Sequence, residues 1–229
     1  MYSGIKHIFF DLDDTLWDFE KNSEAVLVDL FEEYDLANKL QTDFYTFHST
    51  YKVVNNDLWS AYYKKSVDKQ FLRDNRFHIT FQKFSYNNYE ENLLVTEQYL
   101  VRSPYGTHLK TGCIQTLDYL KNKYSLHIIT NGFKEVQNIK LDNTGLRKYF
   151  DHIIISEEHS LTKPDEKIFR LAEQFSGSIR EECVMIGDNV ESDIEGALNA
   201  GWKAIWLTNT PNEVKINQIG ELSELSGIF

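Results

Sequence analysis

A buried strand that ends abruptly in acidic residues constrains this chain more than any other feature. The apolar run from Ile5 to Phe10 predicts a parallel strand covered on both faces, and Asp11, Asp13 and Asp14 follow it directly. Three carboxylates cannot continue a hydrophobic core. They mark the carboxyl end of a central strand, which is where open α/β sheets bind their ligands.

The spacing of the first two acids points to a metal ion. Asp11 and Asp13 are two residues apart, so in an extended chain both side chains leave the same face and share one small volume. Two carboxylates that close repel each other unless a cation lies between them. For paired oxygen ligands we expect Mg²⁺.

The next strand comes so late in the chain that an inserted domain is predicted. It begins at Leu126, whereas a βαβ unit needs about 30 residues in all. We expect an α/β fold: a doubly wound, Rossmann-like parallel sheet core from residues 1–16 and 106–229, with an all-helical domain inserted at 17–105. Four apolar stripes predict the inserted helices: Leu27, Leu30, Phe31 and Tyr34; Phe44, Phe47, Tyr51, Val54, Leu58 and Tyr62; Phe71, Phe77, Phe81 and Phe84; Leu93, Leu94 and Leu100.

Beyond the insertion, strands and helices alternate regularly. Helices are predicted over residues 134–143 and 191–200, among others. The predicted strands are Leu126–Ile129, His152–Ile155, Cys183–Ile186 and Lys203–Leu207, with a short edge strand at Val214–Ile216.

Polar residues also follow the later strands. Thr130 and Asn131 end the second strand, Lys163 comes one loop after the third, and Asp188 follows the fourth. In a parallel sheet these ends lie along one edge. The Thr130 hydroxyl and the Asn131 amide, just before a helix, are suited to bind phosphoryl oxygens, and Lys163 is suited to neutralise negative charge.

Each acid then has a role in phosphoryl transfer. Asp11 is the predicted nucleophile, because attack of a carboxylate on phosphorus gives an acyl phosphate that water can cleave. Asp13 is the predicted general acid and base. Mg²⁺ would be held by Asp11, Asp188 and the main-chain carbonyl of Asp13. Thr15 and Asp193 are candidates to support these ligands without binding the metal.

Taken singly, each of these residues has an ordinary structural alternative. An acid after a strand often caps a helix, Thr130-Asn131-Gly132 also fits a plain turn, and a lysine is usually solvated. These alternatives do not explain why all the groups occur in this order at four successive strand ends.

The ordered set resembles the haloacid dehalogenase superfamily, and the resemblance spans the chain. It implies a helical type 1 cap after the first motif. The matching motifs are Asp11-Leu12-Asp13-Asp14-Thr15, Thr130-Asn131-Gly132, Lys163-Pro164 and Gly187-Asp188-Asn189-Val190-Glu191-Ser192-Asp193.

Shorter segments resemble the bacterial housecleaning pyrimidine 5′-nucleotidases of that superfamily. They are Ile128–Phe133, Ile155–Glu158 and Val54–Trp59. The resemblance implies hydrolysis of nucleoside 5′-monophosphates. Within the cap, Asn55, Asn56 and Trp59 are candidates for base or sugar contacts, and Phe133, after the phosphate loop, is another.

Other chemistries remain open at this point. Asp13 argues against the dehalogenases proper, which lack an acid there, but the phosphomutases share it. A phosphoglycolate or sugar phosphate phosphatase is an alternative. A phospho-accepting receiver domain also combines an Asp, Mg²⁺, Thr and Lys, but it lacks both the insertion and a second acid like Asp13.

The bulk composition limits the partners. With 24 basic and 35 acidic residues the net charge is −11, which argues against a nucleic acid polymer but not against a small phosphate ester. We expect neither a signal peptide nor a membrane span, and Cys113 and Cys183 lie in apolar stretches. We expect a cytoplasmic monomer or small homo-oligomer with reduced cysteines.

Overall fold

The computed structural model describes residues 2–210 and 216–229. The chain forms two compact units. Residues Met1–Phe19 and Thr107–Phe229 form one, called the core unit below, and Glu20–Gly106 form the other, called the helical unit. Among the described residues, none of the helices combines the length and the apolarity needed to cross a membrane.

The core unit is built on a parallel sheet with the order β3-β2-β1-β4-β5-β6. The chain runs outward from β1 to β3 and then returns to pair β4 with the other side of β1, so the strand order reverses between β1 and β4. The predicted Rossmann-like parallel core is therefore confirmed. The strands are β1 (His7–Phe10), β2 (Ser125–Thr130), β3 (His152–Ile155), β4 (Cys183–Gly187), β5 (Lys203–Leu207) and β6 (Gln218–Ile219).

Hydrophobic side chains project from both faces of the sheet and are buried there, as the apolar run in β1 predicts. Ile8 and Phe10 pack into one buried cluster and Phe9 into another, because successive side chains of a strand point to opposite faces. The described helices of this unit are α6 (Cys113–Lys121), α7 (Lys134–Asn143), α8 (Ser156–His159), α9 (Glu166–Ser176), α10 (Gly196–Asn199) and α11 (Leu225–Ile228).

Two details of the core differ from the expectation. The predicted helix over 191–200 begins as a π-helix, Val190–Glu195, before α10 continues it. The predicted edge strand begins at Val214, which lies outside the described residues, and the observed short strand is β6.

The helical unit packs its helices around an aromatic interior. Its helices are α1 (Phe19–Glu33, whose first residue belongs to the core unit), α2 (Leu36–Leu40), α3 (Phe44–Tyr63), α4 (Lys69–Gln82) and α5 (Tyr89–Arg102). Asp43, Asp68 and Asn88 cap α3, α4 and α5, since each side chain accepts a hydrogen bond from a main-chain N–H of the first turn. The short helix α2 was not anticipated by the four stripes.

Two of the predicted stripes are partly wrong. Leu93 and Leu94 are exposed, whereas α5 buries Val95 and Tyr99. Phe71, also expected in the interior, is 44% exposed. The buried face of α5 continues through Asn92 and Thr96, so it follows the helical spacing i, i+3, i+4, i+7 but includes polar residues that the apolar pattern overlooked.

Candidate active site

Two adjacent strands place Asp11 and Asp188 at the point where the strand order reverses. Asp11 directly follows β1, and its N–H still donates to the carbonyl of Ile186 in β4 (2.9 Å). Asp188 directly follows β4. The Thr15 hydroxyl donates to Asp188 Oδ1 (3.1 Å), so Thr15 supports this carboxylate. The carboxyl ends of β1 and β4 therefore present two acids side by side, where such sheets bind ligands.

Lys163 joins two of the acids. Its Nζ donates to Asp11 Oδ1 and to Asp193 Oδ1, each at 2.6 Å, and its side chain is 1% exposed. Burial lowers the pKa of Lys163, but the charges of Asp11 and Asp193 outweigh burial and raise it above its usual value. Lys163 is thus a permanent cation in contact with the predicted nucleophile.

The side chain of Asn131 holds Lys163 in place. Asn131 Nδ2 donates to the Lys163 carbonyl (3.0 Å), and Asn131 Oδ1 accepts from the Lys163 N–H (2.9 Å). Both ends of the amide are engaged with the same residue, so Asn131 positions Lys163 in this structure. Its predicted contact with phosphoryl oxygens stays a prediction.

Asp11, Asp188 and Asp193 form an acidic cluster in which one oxygen of each lies within 4.8 Å of the others. Burial raises the pKa of Asp11 well above its usual value; Lys163 lowers it, and the neighbouring carboxylates raise it further. Burial, with the charges of Asp193 and Asp14, raises the pKa of Asp188 to about 7. Three carboxylates against one ammonium leave excess negative charge, and such an oxygen donor set fits a divalent cation such as Mg²⁺.

Gly187 and the π-helix bring Asp193 into this cluster. Asp193 Oδ2 accepts from the N–H of Asn189 (3.1 Å), and a Cβ at Gly187 would lie 2.2 Å from that oxygen. Only glycine leaves room for the carboxylate here. The π-helix turn that carries Asp193 is of the kind that recurs at functional sites.

Asp13 is held by two residues of α7. Gln137 Nε2 donates to Asp13 Oδ2 (2.8 Å), and Lys140 Nζ donates to Asp13 Oδ1 (2.5 Å). Lys140 is buried, and its Nζ lies 4.2 Å from the centroid of the Trp17 ring. Asp13 is therefore fixed in orientation by a cation and an amide.

Gln137 also connects Asp13 to Thr130. Its Nε2 donates to the Thr130 hydroxyl (2.6 Å), which accepts a second, longer bond from the Gly132 N–H (3.4 Å). Because the hydroxyl oxygen accepts in both bonds, its hydrogen is left to donate to a ligand. A Cβ at Gly132 would lie 2.3 Å from the Gln137 amide, so the glycine of this turn makes room for the bridge.

Comparison with known proteins settles the family. A family model of haloacid dehalogenase-like hydrolases matches residues 5–201. The chain belongs to the haloacid dehalogenase-like hydrolase family. The expected superfamily and the expected hydrolase are thus confirmed, and the receiver domain is set aside because such domains are not hydrolases of this family.

Two curated relatives from this family are similar over most of their length. The pyrimidine 5′-nucleotidase YjjG of Escherichia coli is 35% identical over 201 residues, covering 87% of this chain and 84% of the relative. The pyrimidine 5′-nucleotidase PynA of Streptococcus pneumoniae is 31% identical over 203 residues, covering 88% and 83%.

A solved structure from the same family shares the fold. The HAD-hydrolase YfnB of Bacillus subtilis, solved bound to magnesium, superposes with a TM-score of 0.84 at 26% identity and covers 98% of both chains. The combination of a Rossmann-like core with a helical cap is that of the family.

The residues predicted to select the substrate differ in their surroundings. Phe133 is buried at the start of α7, and Asn55 is buried in the helical unit. Asn56 is exposed, and Trp59 is partly buried with its ring against those of Tyr62 and Tyr63. Their contacts with substrate stay predictions.

Sequence reasoning missed Gln137 and Lys140. They lie three residues apart on α7 and are both buried, whereas the amphipathic pattern of a helix on a sheet predicts apolar residues at such positions. Two polar residues with this spacing, soon after the Thr130-Asn131-Gly132 turn, were the sequence signal that could have indicated a role in the site.

Proposed function

We propose that this hydrolase is a phosphatase that uses an aspartyl-phosphate intermediate and Mg²⁺, and that its substrates are pyrimidine nucleoside 5′-monophosphates. The observation that carries the proposal is the arrangement of buried Asp11, Lys163 and Asp193 with the partly exposed Asp188 at the carboxyl ends of β1 and β4. A carboxylate next to a permanent cation and a cluster of metal-ligand oxygens is suited to attack phosphorus.

In the first step a carboxylate oxygen of Asp11 forms a bond to phosphorus as the ester bond breaks. The leaving alkoxide takes a proton from Asp13, which becomes a carboxylate. The Lys163 ammonium balances negative charge on Asp11 and on the phosphoryl group, and the Thr130 hydroxyl donates to a phosphoryl oxygen.

In the second step water cleaves the acyl phosphate. Asp13, now a carboxylate, takes a proton from the water, whose oxygen bonds to phosphorus while the bond to Asp11 breaks. Gln137 and Lys140 hold both oxygens of Asp13 and so keep it aimed in one direction through both steps.

Mg²⁺ would be held by Asp11, Asp188 and the main-chain carbonyl of Asp13, and it would supply positive charge that reduces the repulsion between an anionic nucleophile and an anionic substrate. The excess of carboxylates over ammonium groups in the cluster supports this cofactor. Asp193, which is hydrogen-bonded to Lys163 and Asn189, orients the lysine.

The nucleotide substrate is supported by the names of the two relatives, YjjG and PynA, and by the segment Val54–Trp59. A panel of phosphate esters tests it directly. We expect dUMP, UMP and dTMP to be hydrolysed with higher kcat/KM than ribose 5-phosphate or phosphoglycolate, and we expect EDTA to abolish turnover and Mg²⁺ to restore it. A preference for the sugar phosphates would retain the phosphatase and reject the nucleotidase.

A further inference from the structure

The interior of the helical unit contains an arginine that pairs with no carboxylate of the described residues. Arg76 in α4 is 6% exposed, and its Nε has no hydrogen-bond partner among the described residues. The one hydrogen bond that its side chain makes to a described residue is a long one, from Nη1 to the Tyr51 hydroxyl (3.5 Å). A buried charge is costly unless it is paired, and an unpaired guanidinium is uncommon in a protein interior.

The two groups in contact with the Arg76 guanidinium, the Tyr51 hydroxyl and the Tyr99 ring, carry no negative charge. The guanidinium carbon lies 5.4 Å from the centroid of the Tyr99 ring, and the Tyr99 hydroxyl is 2.8 Å from that of Ser23. Burial raises the pKa of Tyr51 well above its usual value, so the phenol stays protonated and does not neutralise Arg76. The aromatic rings provide a flat, partly polar wall, but they do not supply an anion.

Two further side chains in the same interior have polar atoms without partners. Asn55 and Thr96 are each 5% exposed, and Asn55 Oδ1 and Thr96 Oγ1 have no hydrogen-bond partner among residues 2–210 and 216–229. Asn55 lies one turn after Tyr51 on α3, and Thr96 lies one turn before Tyr99 on α5, so each is next to a residue that contacts Arg76. We call Tyr51, Asn55, Arg76, Thr96 and Tyr99 the Arg76 cluster.

We propose that the Arg76 cluster binds the carbonyl-bearing edge of a pyrimidine ring. Leaving several buried polar atoms without partners costs stability in the free protein, and such sites select strongly for the ligand that completes their hydrogen bonds. The cluster is then a binding site for the base. This inference rests on the proposed function, because it assumes that the substrate is a nucleotide.

The mixture of donors and acceptors favours a ring edge over a carboxylate. A uracil or thymine ring presents two carbonyl oxygens on either side of an N–H. The Arg76 guanidinium can donate to a carbonyl oxygen, and Asn55 Oδ1 can accept from the N–H. A carboxylate would satisfy Arg76, but it has no hydrogen to offer to Asn55 Oδ1.

The test compares two substrates that differ only in the base. Steady-state kinetics of the full chain would be measured with dUMP and with 2-deoxyribose 5-phosphate. We expect Arg76→Met to lower kcat/KM for dUMP about 30-fold, mainly through KM, while kcat/KM for deoxyribose 5-phosphate stays within about twofold. Arg102→Met is the matched control, because Arg102 belongs to the same unit but forms an exposed ion pair with Glu33; we expect it to behave as wild type.

The outcomes separate this inference from the proposed function. A wild-type enzyme that does not prefer dUMP over deoxyribose 5-phosphate would reject the nucleotidase and with it the base site. A wild-type preference that Arg76→Met leaves unchanged, or an equal loss on both substrates, would reject the base site alone. If circular dichroism shows that Arg76→Met does not fold, Thr96→Val tests the base site instead, because it keeps the branched shape of the side chain and replaces the hydroxyl with a methyl group. We expect a loss of about fivefold for dUMP alone, and no loss would reject the inference.

Discussion

The two units of this protein differ in whether their buried cationic side chains are paired with carboxylates. In the core unit, the Lys163 ammonium lies between two carboxylates at 2.6 Å, and Lys140 is paired with Asp13. In the helical unit, Arg76 is also buried, and the contacts of its guanidinium with described residues are those with Tyr51 and Tyr99. The difference suggests a division of labour. In the proposed function, the core unit has its catalytic charges paired before substrate arrives, whereas the unpartnered polar atoms of the helical unit are the ones we propose a ligand completes.

The largest effect is expected from removing the proposed nucleophile of the core unit. Asp11→Asn should lower kcat by at least about 10⁴-fold, because an amide does not attack phosphorus. The variant should remain folded, since the amide oxygen can still accept from Lys163. Activity on dUMP measures the effect, and Asp142→Asn, which changes an exposed carboxylate, is the control. Substantial residual turnover in Asp11→Asn would contradict the covalent mechanism.

The next largest effect tests whether the charges of the core depend on one another. Lys163→Met should lower the free energy of unfolding by about 3–5 kcal/mol, because it leaves Asp11 and Asp193 buried without their cation. Urea denaturation measures this change. Lys134→Met, which removes an exposed ion pair with Glu158, should change the stability little. Equal effects of the two substitutions would show that the charge of Lys163 does not stabilise the buried carboxylates of Asp11 and Asp193.

The third effect concerns a buried histidine of the core unit. His127 is 1% exposed, and its ring stacks on Phe9 with centroids 4.6 Å apart. Burial, together with His7 and His152, lowers the pKa of His127 from 6.5 to about 4. The unfolded chain therefore binds a proton between pH 6.5 and pH 4 that the folded chain does not, and the free energy of unfolding falls as the pH falls through this window.

At pH 5 this contribution amounts to about 2 kcal/mol relative to pH 7. Urea denaturation of wild type and of His127→Phe at both pH values measures it, because His127 is the titrating group that the substitution removes. The stability difference between wild type and variant should shift by this amount in favour of the variant at pH 5. An unchanged difference would contradict the depressed pKa.

The smallest effect tests whether Lys140 of α7 orients Asp13. Lys140→Met should lower kcat about tenfold with little change in KM, because Asp13 loses the cation that orients it but keeps Gln137. Lys140→Arg should recover most of the activity, whereas Lys134→Met on the same helix should have none of this effect. A change in KM alone would assign Lys140 to substrate binding instead.

Local patterns predicted most of the fold. The apolar run before Asp11, the helical spacing of the inserted segment and the strands at His152–Ile155 and Lys203–Leu207 all depend on side chains close in sequence. The errors arose where tertiary packing decides which side chains of a helix are buried. The buried face of α5 includes Asn92 and Thr96, and an apolar pattern does not detect a polar interior.

The same division holds for the candidate site. The order of polar groups at the strand ends predicted that Asp11, Lys163 and Asp188 come together, because parallel strands all end at one edge of the sheet. It did not predict that Asn131 would bind the main chain of Lys163, nor that Gln137 would bridge Asp13 and Thr130. Those contacts join side chains whose directions depend on how the helices pack.

By itself, the sequence determined the class of the fold, the family and the edge of the sheet where the acidic cluster forms, since these follow from periodicity and from residue types at strand ends. Only the tertiary structure decided which groups are paired. It gave Asp13 two partners on α7 and, within the described part of the chain, left Arg76 without a carboxylate partner, because the pairing of a buried charge depends on neighbours that the folded chain brings from distant positions.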